Sequence, residues 1–408
     1  MKKLLMVAFH FPPLAGSSGI QRTLRFVQHL PRHGWQPLVL SAHPRAYERT
    51  ADDLLREVPP DTVVRRAWAL DTARHLSIGG RYIGAMARPD RWVSWRFDAV
   101  RVGLEMIRAH RPDAIWSTHP IATAHLIGAA LHRKTGLPWI ADFRDPMAQE
   151  GYPSDPKTWQ AYKRIEDMAL GNASMCTFTT PSAVRSYQAL YPQAAARIHL
   201  LENGYDEEAF AAAARRPEPA AANGSPRVLL HSGIVYPGDR DPSQLIAALR
   251  LLHDSGRIRP GTLVVRFRAA VHDDLLRDMA RQHGVEPYIE IAPPVGYGDA
   301  LAEMMRVDGL LVLQASSCNE QVPAKLYEYL RAGRPILGLT DPAGDTAGVM
   351  REAGIAQLAR LDSAPEIAAL LEHCLDGGRN TLLPTAAAVS AASREGRARQ
   401  LAGWLDTL

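Results

Sequence analysis

Short, mostly apolar runs alternate with amphipathic stretches along the whole chain. Runs at residues 4–9, 37–42, 62–67, 114–117, 139–142 and 175–179 are bounded by turn residues, the pattern of strands covered on both sides. A second series follows at 228–231, 263–268, 289–292, 309–313, 336–339 and 355–358. Between these runs apolar residues recur at helical spacing, as in Ile20, Leu24, Phe26, Val27 and Leu30, or Leu245, Ile246 and Leu249. Helices are also expected at 300–305, 366–374 and 386–405. Alternation of this kind predicts an α/β chain with two parallel, doubly wound sheets.

A chain of 408 residues is too long for one core, so two domains of about 200 residues are expected. The turn signal Asn203-Gly204 marks the junction, giving domains at residues 1–205 and 206–385. Residues 211–226, a run of Ala, Arg, Pro, Asn and Gly without apolar periodicity, read as a linker or exposed loop. Apolar content of 46% with 22% charged residues is ordinary for a soluble globular protein. The net charge of +4 comes without a basic run, which gives nucleic-acid binding no support. Cys176, Cys318 and Cys374 are scattered and lack metal-ligand spacing, so they read as free thiols in a reducing compartment. The apolar start of the chain breaks at His10 and Pro12 without a small-residue cleavage site, and reads as a first strand rather than a signal peptide. No run approaches the ~18–20 apolar residues of a membrane span, and a cytoplasmic location is expected.

The chemistry concentrates in residues 319–340. Pro323 suits the first position of a helix, and Leu326, Tyr329 and Leu330 give that helix one apolar face. Gly333 caps it, and Pro335 stops it before the strand at 336–339. Glu320 precedes the helix, Lys325 lies in its first turn, and Glu328 follows about one turn on. The unpaired amides and dipole of such a start favour an anion, most commonly phosphate. A lysine there is unfavourable for the dipole itself, so it points to an anionic partner. The chain holds six lysines against 41 arginines, and Lys325 is the only lysine beyond Lys163, which hints at a need for a compact point charge. The plain alternative is a surface helix with solvated Glu and Lys.

The pair Glu320-x7-Glu328 and the text VPAKLYEYLRAGRPIL resemble the P-x-K-x-x-E-x-x-x-x-G-x-P segment of retaining GT-B glycosyltransferases, in particular the GT4 group. The resemblance implies that Glu320 lies by the donor sugar and Glu328 binds the nucleotide ribose. Lys325 and the amides at Pro323 would meet the diphosphate. It further implies two Rossmann-like domains facing a central cleft, acceptor-side first and nucleotide-sugar-binding second. NGYD at 203–206 resembles the family's interdomain joint, and residues 386–408 should cross back onto the first domain.

The loop SGIVYPGDRDP begins the second domain's phosphate side, where Gly233 and Gly238 let backbone approach a ligand and Arg240 is the nearby cation. The family places an Arg and a Lys here against the leaving diphosphate. Arg240 suits one of them, but Ile234 stands where the other is often found, so Arg240 with Lys325 is the expected pairing. Arg240 bonded to Asp239 or Asp241 is the alternative. Tyr297 falls, by the same resemblance, beside the nucleotide base.

In the first domain HFPPLAGSSG, residues 10–19, joins the first strand to a helix. Gly16 and Gly19 permit close approach to the backbone, and Ser17 or Ser18 could cap the helix. The loop resembles the family's PP-x-x-G-G opening, with Ser17 in place of the second Gly; a tight structural turn fits equally. Residues 74–96 carry five arginines with Tyr82, Trp92 and Trp95, a mixture suited to a membrane surface or a lipid-linked acceptor. Val93, Phe97, Val100, Leu104 and Ile107 fall on one helical stripe, however, which favours core packing.

Ligands of open α/β sheets gather past the carboxyl ends of strands. His119 follows one such strand and could act as a base toward an acceptor hydroxyl or bond a neighbouring loop. DFRDP, residues 142–146, puts Asp142, Arg144 and Asp145 at the next strand end. Many bacterial polysaccharide glycosyltransferases carry a similar DFRDP. Its role stays open between acceptor binding and a buried Arg–Asp network.

The resemblance implies transfer of a sugar from a UDP- or GDP-sugar to a hydroxyl of a cell-surface saccharide or lipid-linked saccharide. Arg240, Lys325 and the helix amides would stabilise the departing diphosphate. No Asp-x-Asp motif of the kind that binds a metal between carboxylate and phosphate is apparent, so neither a metal nor a cofactor beyond the co-substrate is expected. Retention in the family implies front-face attack, with Glu320 positioning the sugar rather than attacking it. Two other readings share the architecture: a non-hydrolysing sugar-nucleotide epimerase, which needs acid–base groups of the kind His119 offers, and a sugar- or nucleotide-binding module without turnover.

Overall fold

The computed structural model describes every residue except Ser18 and 218–223. It divides into two compact units, Met1–Asn203 with Arg394–Leu408, and Gly204–Ser393.

Unit 1 is built on seven parallel strands: β1 (Lys2–Val7), β2 (Trp35–Ala42), β3 (Val63–Ala67), β4 (Ala114–Thr118), β5 (Trp139–Arg144), β6 (Met175–Phe178) and β7 (Ile198–Leu200). Their order is β3-β2-β1-β4-β5-β6-β7. The chain reverses its winding between β1 and β4, so both strand ends open where a ligand crevice forms in such sheets. Alternate side chains of β1 feed two cores: Leu5 and Val7 pack with Leu38, Leu40 and Ile115 on one face, Leu4 and Met6 with Val39 and Trp116 on the other. That is why these runs are apolar throughout rather than alternating. Three-residue β7 at the sheet edge escaped the sequence pattern, being too short to show a period.

The returning segment is shorter than expected. A single helix over 386–405 becomes two, Ala386–Ala391 and Arg394–Leu405, and only the second belongs to unit 1. It buries Ala398, Leu401 and Leu405 against the face that holds Leu4 and Val27.

The helix Trp95–His110 also departs from expectation. Its buried residues are Trp95, Ala99, Val102, Gly103 and Met106, while Phe97 is 72% exposed. The helical period was legible but the face was not. Gly103 lets the helix lie close to its neighbours, a Cβ there falling 2.8 Å from Leu131 Cδ1 of the helix Thr123–Thr135 and 3.2 Å from Leu40 Cδ2 of β2. Val100, Leu104 and Ile107 pack only at the edge of that core.

Unit 2 has six parallel strands: β8 (Arg227–Ser232), β9 (Leu263–Arg268), β10 (Ile289–Ala292), β11 (Gly309–Gln314), β12 (Ile336–Thr340) and β13 (Leu358–Ala359). Their order, β10-β9-β8-β11-β12-β13, reverses between β8 and β11. The strand expected at 355–358 shrinks to two residues, because Gly354 turns with φ +95° and Ile355 drops into the core. The first four residues of the expected linker, 211–214, are helical. Asp206 caps Glu207–Ala214 by accepting from the amides of Glu208 and Ala209, and Phe210 and Ala213 are buried. An alanine-rich run with one large apolar residue hides this periodicity. Residues 218–223 of that linker lie outside the described residues.

Candidate active site

In unit 2 the groups that flank the start of the helix Ala324–Ala332 come together. Pro323 is its N-cap (φ −60°, ψ 129°), one position earlier than expected, so Ala324 and Lys325 open the helix. The first helical amides have no carbonyl four residues back and point out of the helix end. Opposite them β8 ends at Ser232, and Gly233 turns with φ +135°. A Cβ there would sit 3.0 Å from Lys325 Cε and 3.9 Å from Arg240 Nη1. Only glycine serves at that position, and both cations converge on it.

Arg240 donates from Nη1 to the Ile234 carbonyl (2.9 Å) and lies over the Tyr236 ring at 5.1 Å. It does not pair with Asp239 or Asp241: Asp241 accepts from the Ser243 amide and hydroxyl, and Asp239 from Ser317 Oγ. Lys325 Nζ reaches Glu328 Oε2 only at 3.9 Å, and Glu328 Oε1 accepts from Tyr297 OH at 3.0 Å. Arg240 and Lys325 line a cavity of ≈ 330 Å³ together with Gly233, Tyr236, Pro323 and Tyr329. Below it His231 is held neutral, its pKa lowered to about 4 by burial, with Arg240 and Lys325 adding to the effect. The Tyr329 hydroxyl accepts the Ser232 amide (3.0 Å) and fixes the end of β8.

Glu320 is exposed, on a loop held by residues that sequence reasoning passed over. Gln314 Nε2 donates to the carbonyls of Cys318 (2.7 Å) and Gln321 (2.9 Å). Asn319 Nδ2 donates to Asp341 (2.7 Å), and its carbonyl accepts the Asp345 amide (2.8 Å). A buried glutamine closing an otherwise apolar strand, LLVLQ, was the available signal.

Unit 1 gathers a different set past β1, β4 and β5. Asp142 is fully buried and accepts from Arg22 Nε (3.0 Å) and Nη2 (2.8 Å), Thr118 Oγ1 (2.7 Å) and Thr177 Oγ1 (2.8 Å). Burial works against its charge, yet Arg22 and these donors hold the carboxyl below the ordinary aspartate value. Arg22 gives its other bonds to the carbonyls of Leu201 and Glu202. Asp142 therefore cannot face an acceptor, and the buried network expected within DFRDP runs to Arg22 instead of Arg144. No local spacing could have shown a partner 120 residues away.

Arg144 is released from that network. It sits at φ 64°, where β5 breaks register with β6, and its carbonyl accepts the Thr179 amide (2.7 Å) and hydroxyl (2.8 Å). Among the described residues Nη1 reaches only the His119 carbonyl, at 3.4 Å, and Nε is buried without a partner. Both ring nitrogens of His119 are likewise buried and unpartnered. Burial, then His125 and Arg144, push His119 well below its ordinary pKa. Asp145 is exposed and accepts from Thr179 Oγ1 at 3.2 Å. His10, lowered to about 4 by burial and then Arg144, bonds Ser17 Oγ at 2.9 Å.

The loop from β1 to the helix Gly19–His29 closes tightly on these groups. A Cβ on Gly19 would fall 2.6 Å from His10 Nδ1 and 2.7 Å from Arg144 Nη1. Ser17 Oγ accepts the Gly19 amide (3.2 Å), as a capping serine does, whereas Ser18 lies outside the described residues. Gly16 turns with φ +81° and nothing crowds it.

A family model described as a glycosyl transferase 4-like domain matches residues 18–204. Over its whole length the chain is similar in structure to HepE of Anabaena solved with UDP, at 15% identity, 100% coverage of both chains and a TM-score of 0.64. The lipopolysaccharide outer core galactosyltransferase WaaB follows at 11% identity, 100% coverage of both chains and 0.63. A putative UDP-N-acetylglucosamine 2-epimerase from Listeria monocytogenes gives 14% identity, 100% of this chain, 96% of that chain and 0.58. At these identities the likeness is one of fold. No curated protein matches the chain by sequence.

Proposed function

We propose that this GT4-like glycosyltransferase of the GT-B fold moves a sugar from a nucleotide diphosphate sugar to a hydroxyl of a saccharide or lipid-linked saccharide. The observation that carries the reading is the convergence of Arg240 and Lys325 on Gly233 at a helix start, where Lys325 pairs only loosely with Glu328, at 3.9 Å. Charges of that kind are aimed at a diphosphate as it departs, and they act most strongly when negative charge develops. They do so without a divalent ion. Glu328, aligned by Tyr297, takes the ribose hydroxyls, and Glu320 orients the sugar for front-face attack with retention. HepE, solved with UDP and with UDP-glucose, favours uridine as the nucleotide. On the acceptor side, neutral His119 suits a base, with Arg144 and Asp145 beside it. The three unpaired cysteines suit the cytoplasm.

The epimerase reading draws support from the Listeria protein and from His119 as a neutral acid–base group. Melting curves with UDP, GDP, ADP, TDP and CMP, repeated on Glu328→Ala, separate the readings when joined to product analysis. One diphosphate should raise the melting temperature of the wild type and lose most of that effect in the variant. Nucleotide release should then require an acceptor and survive EDTA. A C2 epimer formed without acceptor would replace transfer by epimerisation, and binding without any product would leave a binding module.

A further inference from the structure

We propose that an apolar, cationic projection of unit 1 between Trp68 and Phe97 docks this protein on the anionic surface of a lipid bilayer. Six large apolar side chains stand out of it: Trp68, Ile78, Tyr82, Ile83, Met86 and Phe97. Ile78 is 88% exposed and Ile83 67%, whereas isolated exposed apolar residues are the rule on soluble surfaces.

The projection is braced for display. Backbone bonds join Ile78 and Arg81 in both directions (2.9 and 3.1 Å), across Gly79 and Gly80 at φ +58° and +76°. Two left-handed central residues make the tight turn that suits a two-residue hairpin loop. At the base the Thr72 hydroxyl donates to the carbonyls of Met86 (2.8 Å) and Arg91 (3.0 Å). Ser94 Oγ accepts the Leu70 amide (2.9 Å), and Asp98 accepts the Trp68 amide (2.8 Å), which ties the backbone at Trp68 to the start of the helix that carries Phe97.

Charge selects the occupant. No acidic residue lies between Asp71 and Asp90, and the two acids further on are engaged, Asp90 by Thr123 and Asp98 by Arg101. Arg74, Arg81 and Arg96 pair with no carboxylate among the described residues; Arg74 bonds the Tyr47 carbonyl, and Arg96 lies over the Phe97 ring. A second copy seated by twofold symmetry would set these like charges against one another. Aromatic and aliphatic side chains interleaved with arginine instead match the boundary between lipid headgroups and acyl chains.

The test is flotation of the full chain with phosphatidylcholine vesicles that contain either no phosphatidylglycerol or roughly one phosphatidylglycerol in three lipids, at low and high salt. Binding should appear with the anionic vesicles and weaken with salt. Ile78→Ser/Ile83→Ser/Phe97→Ser should lower partitioning by about tenfold or more, and each of Arg81→Ala and Arg96→Ala by about fivefold, at unchanged melting temperature. Wild-type protein that stays off anionic vesicles at low salt overturns the proposal. So does a triple variant that floats like wild type, or self-association that the triple variant abolishes while vesicle binding is absent.

Discussion

The strand ends of the two units use charged side chains in opposite ways. In unit 1 Asp142 is saturated by four donors and Arg22 by that carboxylate and two carbonyls, all out of water. In unit 2 Arg240 holds one carbonyl, and Lys325 has a carboxylate no nearer than 3.9 Å. The residue types overlap, yet one arrangement has no capacity left and the other has charge to offer. Saturation separates a scaffold from a binding site here. The orphaned nitrogens of His119 and Arg144 belong with the second kind, although they stand beside the first.

Removing one partner from the saturated set should have the largest effect. Arg22→Ala leaves Asp142 buried and uncompensated, which costs about 3–5 kcal/mol. All eight tryptophans lie in unit 1, so urea unfolding followed by tryptophan fluorescence reads this unit alone. A loss below about 1 kcal/mol would make the pair dispensable and dissolve the contrast with unit 2.

Lys325→Ala should behave in the reverse sense. Turnover is expected to drop by about 10²–10³, the usual cost of losing a preorganised charge aimed at the transition state. The urea midpoint of unit 1 and the melting temperature should hold, because the ammonium's one ion pair among the described residues is the loose 3.9 Å contact with Glu328. Equal losses of activity and stability would assign Lys325 to the scaffold class.

The two kinds of site differed in how far they could be read in advance. Lys325, Glu328 and Pro323 lie within six residues, and helix geometry alone brings them to one end. Gly233 needed only the rule that ligands gather at carboxyl ends of parallel strands, whereas Tyr297 was placed by the family resemblance alone. Arg22–Asp142 joins a helix to a strand across 120 residues, a distance over which spacing carries no information. The helix at Trp95–His110 illustrates a second limit: its period was visible, but which stripe faces the core depends on Gly103 fitting against Leu131, a matter of packing. The helix Glu207–Ala214 was masked by composition, since alanine serves helix and linker alike.

Acid should also divide the units, by a smaller margin. His10 and His125, lowered to about 4 by burial, and His119, lowered well below its ordinary value, are all in unit 1; unit 2 has His231. A folded pKa below the unfolded 6.5 means that the unfolded chain takes up protons first. Stability is therefore complete above about pH 6.5 and declines as the pH falls toward 4, each unit of depression being worth about 1.4 kcal/mol. Burial raises Glu166 and Asp90, and their protonation offsets part of this at the acid end. Calorimetry between pH 7 and about 5, with fluorescence assigning the unit 1 transition, should show unit 1 losing more. Unit 2 melting first in acid would contradict that order.

The finest division lies within unit 2 itself, between groups that meet the ligand and groups that align them. Tyr297 is 52% exposed and its hydroxyl donates to Glu328 at 3.0 Å, so water can replace much of the bond when it is removed. Tyr297→Phe should weaken nucleotide diphosphate binding by about two- to tenfold, corresponding to a net hydrogen bond of about 0.5–1.5 kcal/mol. The phenyl ring keeps whatever contact the nucleotide base makes, and turnover at saturating donor should stay close to wild type. Titration calorimetry on the wild type, Tyr297→Phe, Glu328→Ala and the double variant then measures the coupling directly. If tyrosine acts only by orienting the carboxylate, its removal has no further effect once Glu328 is gone. Additive losses would mean that the hydroxyl touches the nucleotide in its own right, and Tyr297 would move from the aligning groups to those that bind.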